Sequence, residues 1–170
     1  ITGLGIVSPV GSTVEQAWKN VLAGKSGIGP IKRFDVSAFP VRFGGAVIDF
    51  AAEQYLPAKE LRKMDPFMHY GFAAAADALK DSGFAVTAEN SHRIGVAMGA
   101  GIGGLDTIEE NYRKYAEAQS PKRISPFFVP GSIVNMIAGN LSIMYGFKGP
   151  NLALATACTT ANHCIGEGGR

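Results

Sequence analysis

The residue with the clearest chemical potential in this chain is Cys158. In segment 151–166, NLALATACTTANHCIG, an apolar strand pattern runs straight into a helix, and Cys158 stands at the turn. A thiol at a helix N-terminus feels the partial positive charge of unpaired backbone N–H groups, which favours the thiolate, the reactive species, and lowers a cysteine's pKa by about a unit or more. The same N–H groups can stabilise the oxyanion formed when a thioester carbonyl is attacked, so one turn can supply nucleophile and electrostatic stabilisation together. Acyl transfer is the chemistry such a turn suits. The competing reading is structural, because free cysteine is among the most buried residue types and packs as a small hydrophobe. Residue type and position alone leave both readings open.

The neighbours of Cys158 narrow its partners. His163 and Cys164 follow it by five and six residues, offsets of about 140° and 240° around a helix, so three side chains would diverge and a metal site is not expected. For the same reason His163 is a poor general base for Cys158 and is expected to be a packed, hydrogen-bonded histidine. His69 and His92 have no catalytic context. Upstream, GAGIGG at 99–104 matches G-x-G-x-x-G after a strand pattern and before a helix, which raises a dinucleotide site. Such a site wants a second strand ending in an acid about 20 residues on, and here that distance falls within a helix and a proline-rich loop. The alternative is a backbone turning closely past a substrate chain, with Ile102 at its tip, as in an acyl-binding cavity. Lys59, Arg62 and Lys63 share one face of a helical turn, and Lys122 and Arg123 add a basic pair in a loop. They are either solvated surface or a docking patch for an acidic carrier.

The elements that must position these residues follow from caps and periodicity. Ser12 and Glu15 have capping-box spacing before a helix carrying Val14, Trp18, Val21 and Leu22, closed by Gly24. Residues 27–40 lack a period, and 41–50 predict a short strand or hairpin. Asp65 caps a helix that starts at Pro66, presents Met68, Phe72, Ala75, Ala76 and Leu79 on one face, and ends at Gly83. Residues 1–7 look like a strand already under way, and 93–99 predict a continuous apolar strand of the kind covered by helices on both faces. A helix over Leu105–Ala118, a proline-rich but well-anchored loop over 120–130, and a helix over about 132–145 closed by Gly146 complete the series. Strands alternating with helices predict a layered α/β architecture around a largely buried sheet.

Composition bounds the function classes. The 170 residues are 46% apolar with a formal net charge of +2, which suits one domain with a sizeable core and leaves no nucleic-acid footprint. Two cysteines six apart on a presumed helix make no disulfide framework, so a reducing compartment, most simply the cytoplasm, is expected. No apolar run reaches the roughly 18 residues that span a bilayer, no secretory signal is visible, and no membrane partner is expected. The chain opens without Met and stops inside the helix after Cys158, so it is expected to be truncated at both ends, with organelle import left open. No internal repeat is visible.

Together TACTT (156–160), GIGG (101–104), ISPFFVP (124–130), NMIAG (135–139) and MYG (144–146) resemble the β-ketoacyl-acyl carrier protein synthase II family of condensing enzymes, over essentially the whole chain. TGLGIVSPVG at 2–11 resembles that family's first strand and turn. The resemblance implies a thiolase-like layered α-β-α-β-α architecture in which residues 1–170 form the N-terminal half that carries the nucleophile. It implies that Cys158 accepts an acyl group from an acyl carrier protein, and that malonyl carrier protein then loses carbon dioxide and attacks the Cys158 thioester, lengthening a fatty acid by two carbons. By the same resemblance Ile102 gates the acyl pocket, Phe128 contributes to the neighbouring subunit's pocket in a homodimer, and Lys59, Arg62, Lys63, Lys122 and Arg123 dock the carrier. No cofactor and no metal are implied. The family's catalytic histidine pair and lysine fall beyond residue 170, and His163 matches neither histidine. The chain as given is therefore expected to lack condensing activity and to expose a large apolar sheet face. A polyketide-type ketosynthase is the nearest alternative. A chain-length factor, which loses the nucleophile, fits less well because Cys158 is present, and a dinucleotide-binding protein is the outsider.

Overall fold

A computed structural model describes all 170 residues. Helix α1 (Val14–Leu22) is capped by Thr13, whose hydroxyl accepts from the Gln16 N–H, while the Gln16 side chain accepts from the Ser12 N–H. The cap therefore sits at Thr13, one residue later than Ser12 and Glu15 predict, because Thr13 is the residue that holds the extended cap conformation. Only Ala17 of α1 is buried, and Trp18, Val21 and Leu22 lie exposed.

Strand β1 (Ile28–Pro30) pairs antiparallel with β2 (Phe43–Gly45), Ile28 opposite Gly45 and Pro30 opposite Phe43. β1 lies in the stretch that shows no period, since three residues are too few to display one. Residues 1–7 form no strand. The Leu4 N–H donates to the Asp81 carboxylate at 2.8 Å instead of to a neighbouring strand, and the nearby pairing is an isolated bridge between Ser8 and Gly11.

The chain then forms α2 (Ala58–Leu61), α3 (Pro66–Ser82), β3 (Val96–Ala97), α4 (Leu105–Ala118), α5 (Phe128–Ser132), α6 (Met136–Tyr145), β4 (Asn151–Leu152) and α7 (Thr160–Gly168). It divides into two compact units, one of residues 1–52 with 73–83 and one of 53–72 with 84–170. Every candidate site residue belongs to the second. That unit buries Leu56, Leu61, Met68, Phe72, Ile137, Ala138 and Leu141.

β3 and β4 run parallel, Val96 beside Asn151 and Ala97 beside Leu152, with α6 and α7 packed against β3. The apolar strand predicted over 93–99 is thus a two-residue ladder, half-buried in β3 and exposed in β4, not a fully covered strand. The extended path does continue, since the Met98 N–H donates to the Leu152 carbonyl at 3.1 Å.

Two buried polar residues anchor the segments around the site. Asp65 is 4% exposed, and its carboxylate accepts from the Phe67 N–H at 3.3 Å and from the Thr107 N–H at 2.8 Å. One side chain thereby serves the N-termini of both α3 and α4, and α4 needs it because its own cap is Gly104. Asn111 accepts from the Ser125 N–H and donates to the Thr107 carbonyl, both at 2.7 Å, which ties the proline-rich stretch to α4. That stretch is more regular than predicted. It holds a 3₁₀ turn (Pro121–Arg123) and α5, where Pro130 is tolerated because a first-turn N–H has no helical partner to lose. Extended backbone at Ile133 delays the start of α6 to Met136.

Candidate active site

Cys158 occupies a 3₁₀ turn (Ala157–Thr159) that leads directly into α7. The ladder ends at Leu152, so the approach to the turn is irregular rather than strand. Both cysteines are free, and Cys158 is exposed where the structural reading requires burial. Its side chain is not among those that form the buried core.

Hydroxyls brace the turn. The Thr159 side chain donates to the Thr156 carbonyl at 2.7 Å, and the buried Thr160 hydroxyl accepts from the Thr156 N–H at 2.9 Å while donating to the Ala157 carbonyl at 2.8 Å. Ala157 has φ of 52°, a left-handed conformation that residues with a Cβ seldom adopt. His163 Nδ1 lies 2.8 Å from the Thr156 hydroxyl, so this histidine is hydrogen-bonded as expected, but it is exposed rather than packed. The threonines were not singled out from sequence, although three of them flanking a cysteine at a helix start is the signal that could have found them.

Cys164 differs from Cys158. It is half-buried, and burial pushes its thiol up, against a smaller opposing effect of a hydrogen bond to the Leu154 backbone. Limited iodoacetamide is therefore expected to carbamidomethylate Cys158 well before Cys164, read by peptide mass; equal labelling of both would contradict the placement.

The glycine segment passes against this turn. A Cβ on Gly99 would overlap the Leu154 carbonyl oxygen, and one on Gly101 would lie 3.4 Å from the Ala157 carbonyl oxygen. Ile102 is 73% exposed at the tip, Gly103 takes φ of 93°, and the Gly104 N–H donates to the Ser132 carbonyl at 2.8 Å. Ile102 and Cys158 are thus carried beyond the carboxyl ends of two parallel strands, where open α/β sheets place ligands. Phe128 is the half-buried first residue of α5, whose end at Ser132 holds the glycine turn. The dinucleotide reading fails on charge. A pyrophosphate needs the free N-terminus of the following helix, and at α4 the Asp65 carboxylate already occupies it.

The basic residues separate into two kinds. Lys59, Arg62, Lys122 and Arg123 are exposed. Lys63 is half-buried, with Nζ 2.8 and 2.9 Å from the Glu60 carboxylate oxygens and 5.7 Å from the Phe127 ring centroid. The single basic face expected of Lys59, Arg62 and Lys63 is therefore incomplete, since α2 ends at Leu61 and Glu60 engages Lys63. No helix is long and apolar enough to cross a membrane.

Comparison with known proteins places this geometry. The family model for the β-ketoacyl synthase N-terminal domain matches residues 1–169. The 3-oxoacyl-[acyl-carrier-protein] synthase 2 of Vibrio cholerae is 56% identical over the whole chain, and that of Synechocystis is 41% identical over 98% of it. The chain spans 41% and 40% of the lengths of these relatives. A crystal structure of a β-ketoacyl synthase from Burkholderia phymatum matches 98% of the chain and 41% of its own at a TM-score of 0.82 and 26% identity. A type II polyketide ketosynthase, solved with its acyl-carrier protein, matches 98% of this chain and 45% of its own at a TM-score of 0.80 and 24% identity, a likeness of fold alone. The thiolase-like ketosynthase fold expected from the sequence is the fold observed.

Proposed function

We propose, from the premise that this chain belongs to the β-ketoacyl synthase family and carries its N-terminal domain, that Cys158 is the acyl-accepting nucleophile of a fatty-acid-elongating condensing enzyme. The observation that carries this reading is an exposed, free cysteine that directly follows the left-handed Ala157 in the turn leading into α7, with a glycine turn laid against it. The Cys158 thiolate attacks the carbonyl carbon of a carrier-bound acyl thioester, and the oxyanion accepts from backbone N–H groups at the turn, that of Cys158 among them. The tetrahedral intermediate collapses with the carrier thiolate as leaving group and leaves an acyl-Cys158 thioester. A malonyl thioester then loses carbon dioxide, and its α-carbanion attacks the acyl-Cys158 carbonyl. The new carbon–carbon bond displaces the Cys158 thiolate, and the carrier leaves with a β-ketoacyl chain two carbons longer. The relatives at 41–56% identity are named as 3-oxoacyl-[acyl-carrier-protein] synthases, which favours fatty-acid over polyketide condensation. Residues 1–170 act as one nucleophile-bearing half in this reading. Two free cysteines that must remain thiols suit a cytoplasmic setting.

In the same proposal Ile102 borders the acyl chain as it enters beside Cys158. Phe128 shapes the pocket of a second copy in a homodimer. An acyl carrier protein docks on Lys59, Arg62, Lys63, Lys122 and Arg123, chiefly through the four exposed cations, because Lys63 is engaged by Glu60. Reversing Lys122 and Arg123 to Glu is expected to raise the Michaelis constant for the carrier substrate by about tenfold at low salt, with kcat nearly unchanged and a small N-acetylcysteamine thioester used normally. Unchanged carrier kinetics would reject docking at this pair. The reading as a whole is tested by incubating the intact protein with an acyl carrier thioester and locating the acyl mass by peptide.

A further inference from the structure

We propose that Thr160 is a positioning residue that holds the Cys158 turn in the shape acylation requires, a role that rests on Cys158 being the acyl acceptor. Thr160 is the first residue of α7 and only 6% exposed. Its hydroxyl accepts from the Thr156 N–H at 2.9 Å and donates to the Ala157 carbonyl at 2.8 Å. A hydroxyl has one proton and two lone pairs, so both bonds exist at once. They grip the chain on either side of Ala157, whose φ of 52° is a conformation that persists only where surrounding bonds impose it. The residue that follows is Cys158, so the direction of its N–H and of its sulfur is inherited from that imposed turn.

Two further bonds hold the turn from outside, Thr159 to the Thr156 carbonyl at 2.7 Å and Thr156 to His163 at 2.8 Å. Thr156, Thr159 and His163 are exposed, so water can replace their partners, whereas Thr160 is buried and has no such replacement.

Acylation by a thioester needs the sulfur at the carbonyl carbon and N–H donors at the developing oxyanion, both at once. Alkylation by iodoacetamide forms a carbon–sulfur bond with loss of iodide and builds no oxyanion. A residue that aligns the turn therefore moves the first rate and spares the second, whereas general loosening of the fold would change both.

The experiment measures both rates at Cys158 in the intact protein, using a carrier-bound acyl thioester and iodoacetamide. Thr160→Val keeps the volume and removes both bonds. It is expected to slow acylation by about tenfold or more while alkylation stays within about threefold, and Thr160→Ser, which restores the hydroxyl, is expected to return acylation to within about threefold of the original. If Thr160→Val does not fold, Thr160→Ala removes the hydroxyl without adding bulk and carries the same expectation. Unimpaired acylation in the hydroxyl-less variant overturns the proposal, and so does a parallel loss of both rates or a serine variant as slow as the valine one. An unsubstituted protein that takes no acyl group on Cys158 defeats the acyl-acceptor reading, and this role with it. Normal acylation that ignores Thr160 defeats only the positioning role.

Discussion

Cys158→Ala is expected to abolish acyl transfer from a carrier thioester, a loss of at least about a thousandfold, while the unsubstituted protein gains one acyl mass on the peptide that contains Cys158. The expectation follows from the chemistry of the step. Only a thiolate at this turn can form the covalent thioester, and the backbone N–H groups that remain after substitution stabilise an oxyanion that no longer forms. The substitution separates chemistry from folding. The Cys158 side chain is exposed and the hydrogen bonds that brace its turn come from Thr156, Thr159 and Thr160, so alanine leaves them in place and the melting transition is expected to shift little. Cys164 does not take over, because it is half-buried and burial favours its neutral thiol. An acyl mass on any other peptide, or one that survives Cys158→Ala, would remove Cys158 as the nucleophile.

The largest expected stability effect comes from a single methyl group at Gly99. A Cβ there would overlap the Leu154 carbonyl oxygen and stand 2.9 Å from the Leu154 backbone nitrogen. Both neighbours are main-chain atoms, so no side chain can swing aside to make room. Gly99→Ala must push apart the continuations of β3 and β4, and is expected to destabilise by about 3 kcal/mol, read from the midpoint of urea unfolding. Acylation is expected to fall as well, since residues 154–157 form the approach to the Cys158 turn. Gly139 in α6 supplies the internal contrast. Nothing lies within 4 Å of a Cβ at that position, so Gly139→Ala is expected to be neutral or to stabilise by up to about 1 kcal/mol. An unchanged unfolding midpoint for Gly99→Ala would refute the close approach of the two segments.

The two expectations test different parts of one arrangement. Cys158 supplies the reactive atom, and Gly99 allows the chain that carries it to run close to the strand beneath. The glycine match at 99–104 suggests nucleotide phosphates when read as a motif. In the fold it serves close packing, with Asp65 closing the helix end that a phosphate would need.

Helices were the most legible elements. α4 spans Leu105–Ala118 as predicted, and α3 starts at Pro66 after Asp65 and ends before Gly83, whose φ is 61°. These signals are caps, terminators and 3.6-residue periodicity, all settled within a turn or two of the residue that carries them. Strands were poorly legible. β1 is too short to show a period, and the six apolar residues 94–99 after Arg93 read as one strand, yet β3 pairs over two, because pairing depends on Asn151 and Leu152, far away in the chain.

By itself the sequence determined the residue type at the reactive turn, the helix that follows it, the helical frame around it and, through the co-occurring segments, the family. Only the tertiary structure decided that Cys158 is exposed, that Gly101 lies against Ala157, that Asp65 closes α4, and that Glu60 takes up Lys63. The physical reason is range. A cap or a helix is determined by neighbours a few residues apart, whereas exposure, close backbone approach and the occupancy of a helix terminus depend on groups that meet only when distant segments pack.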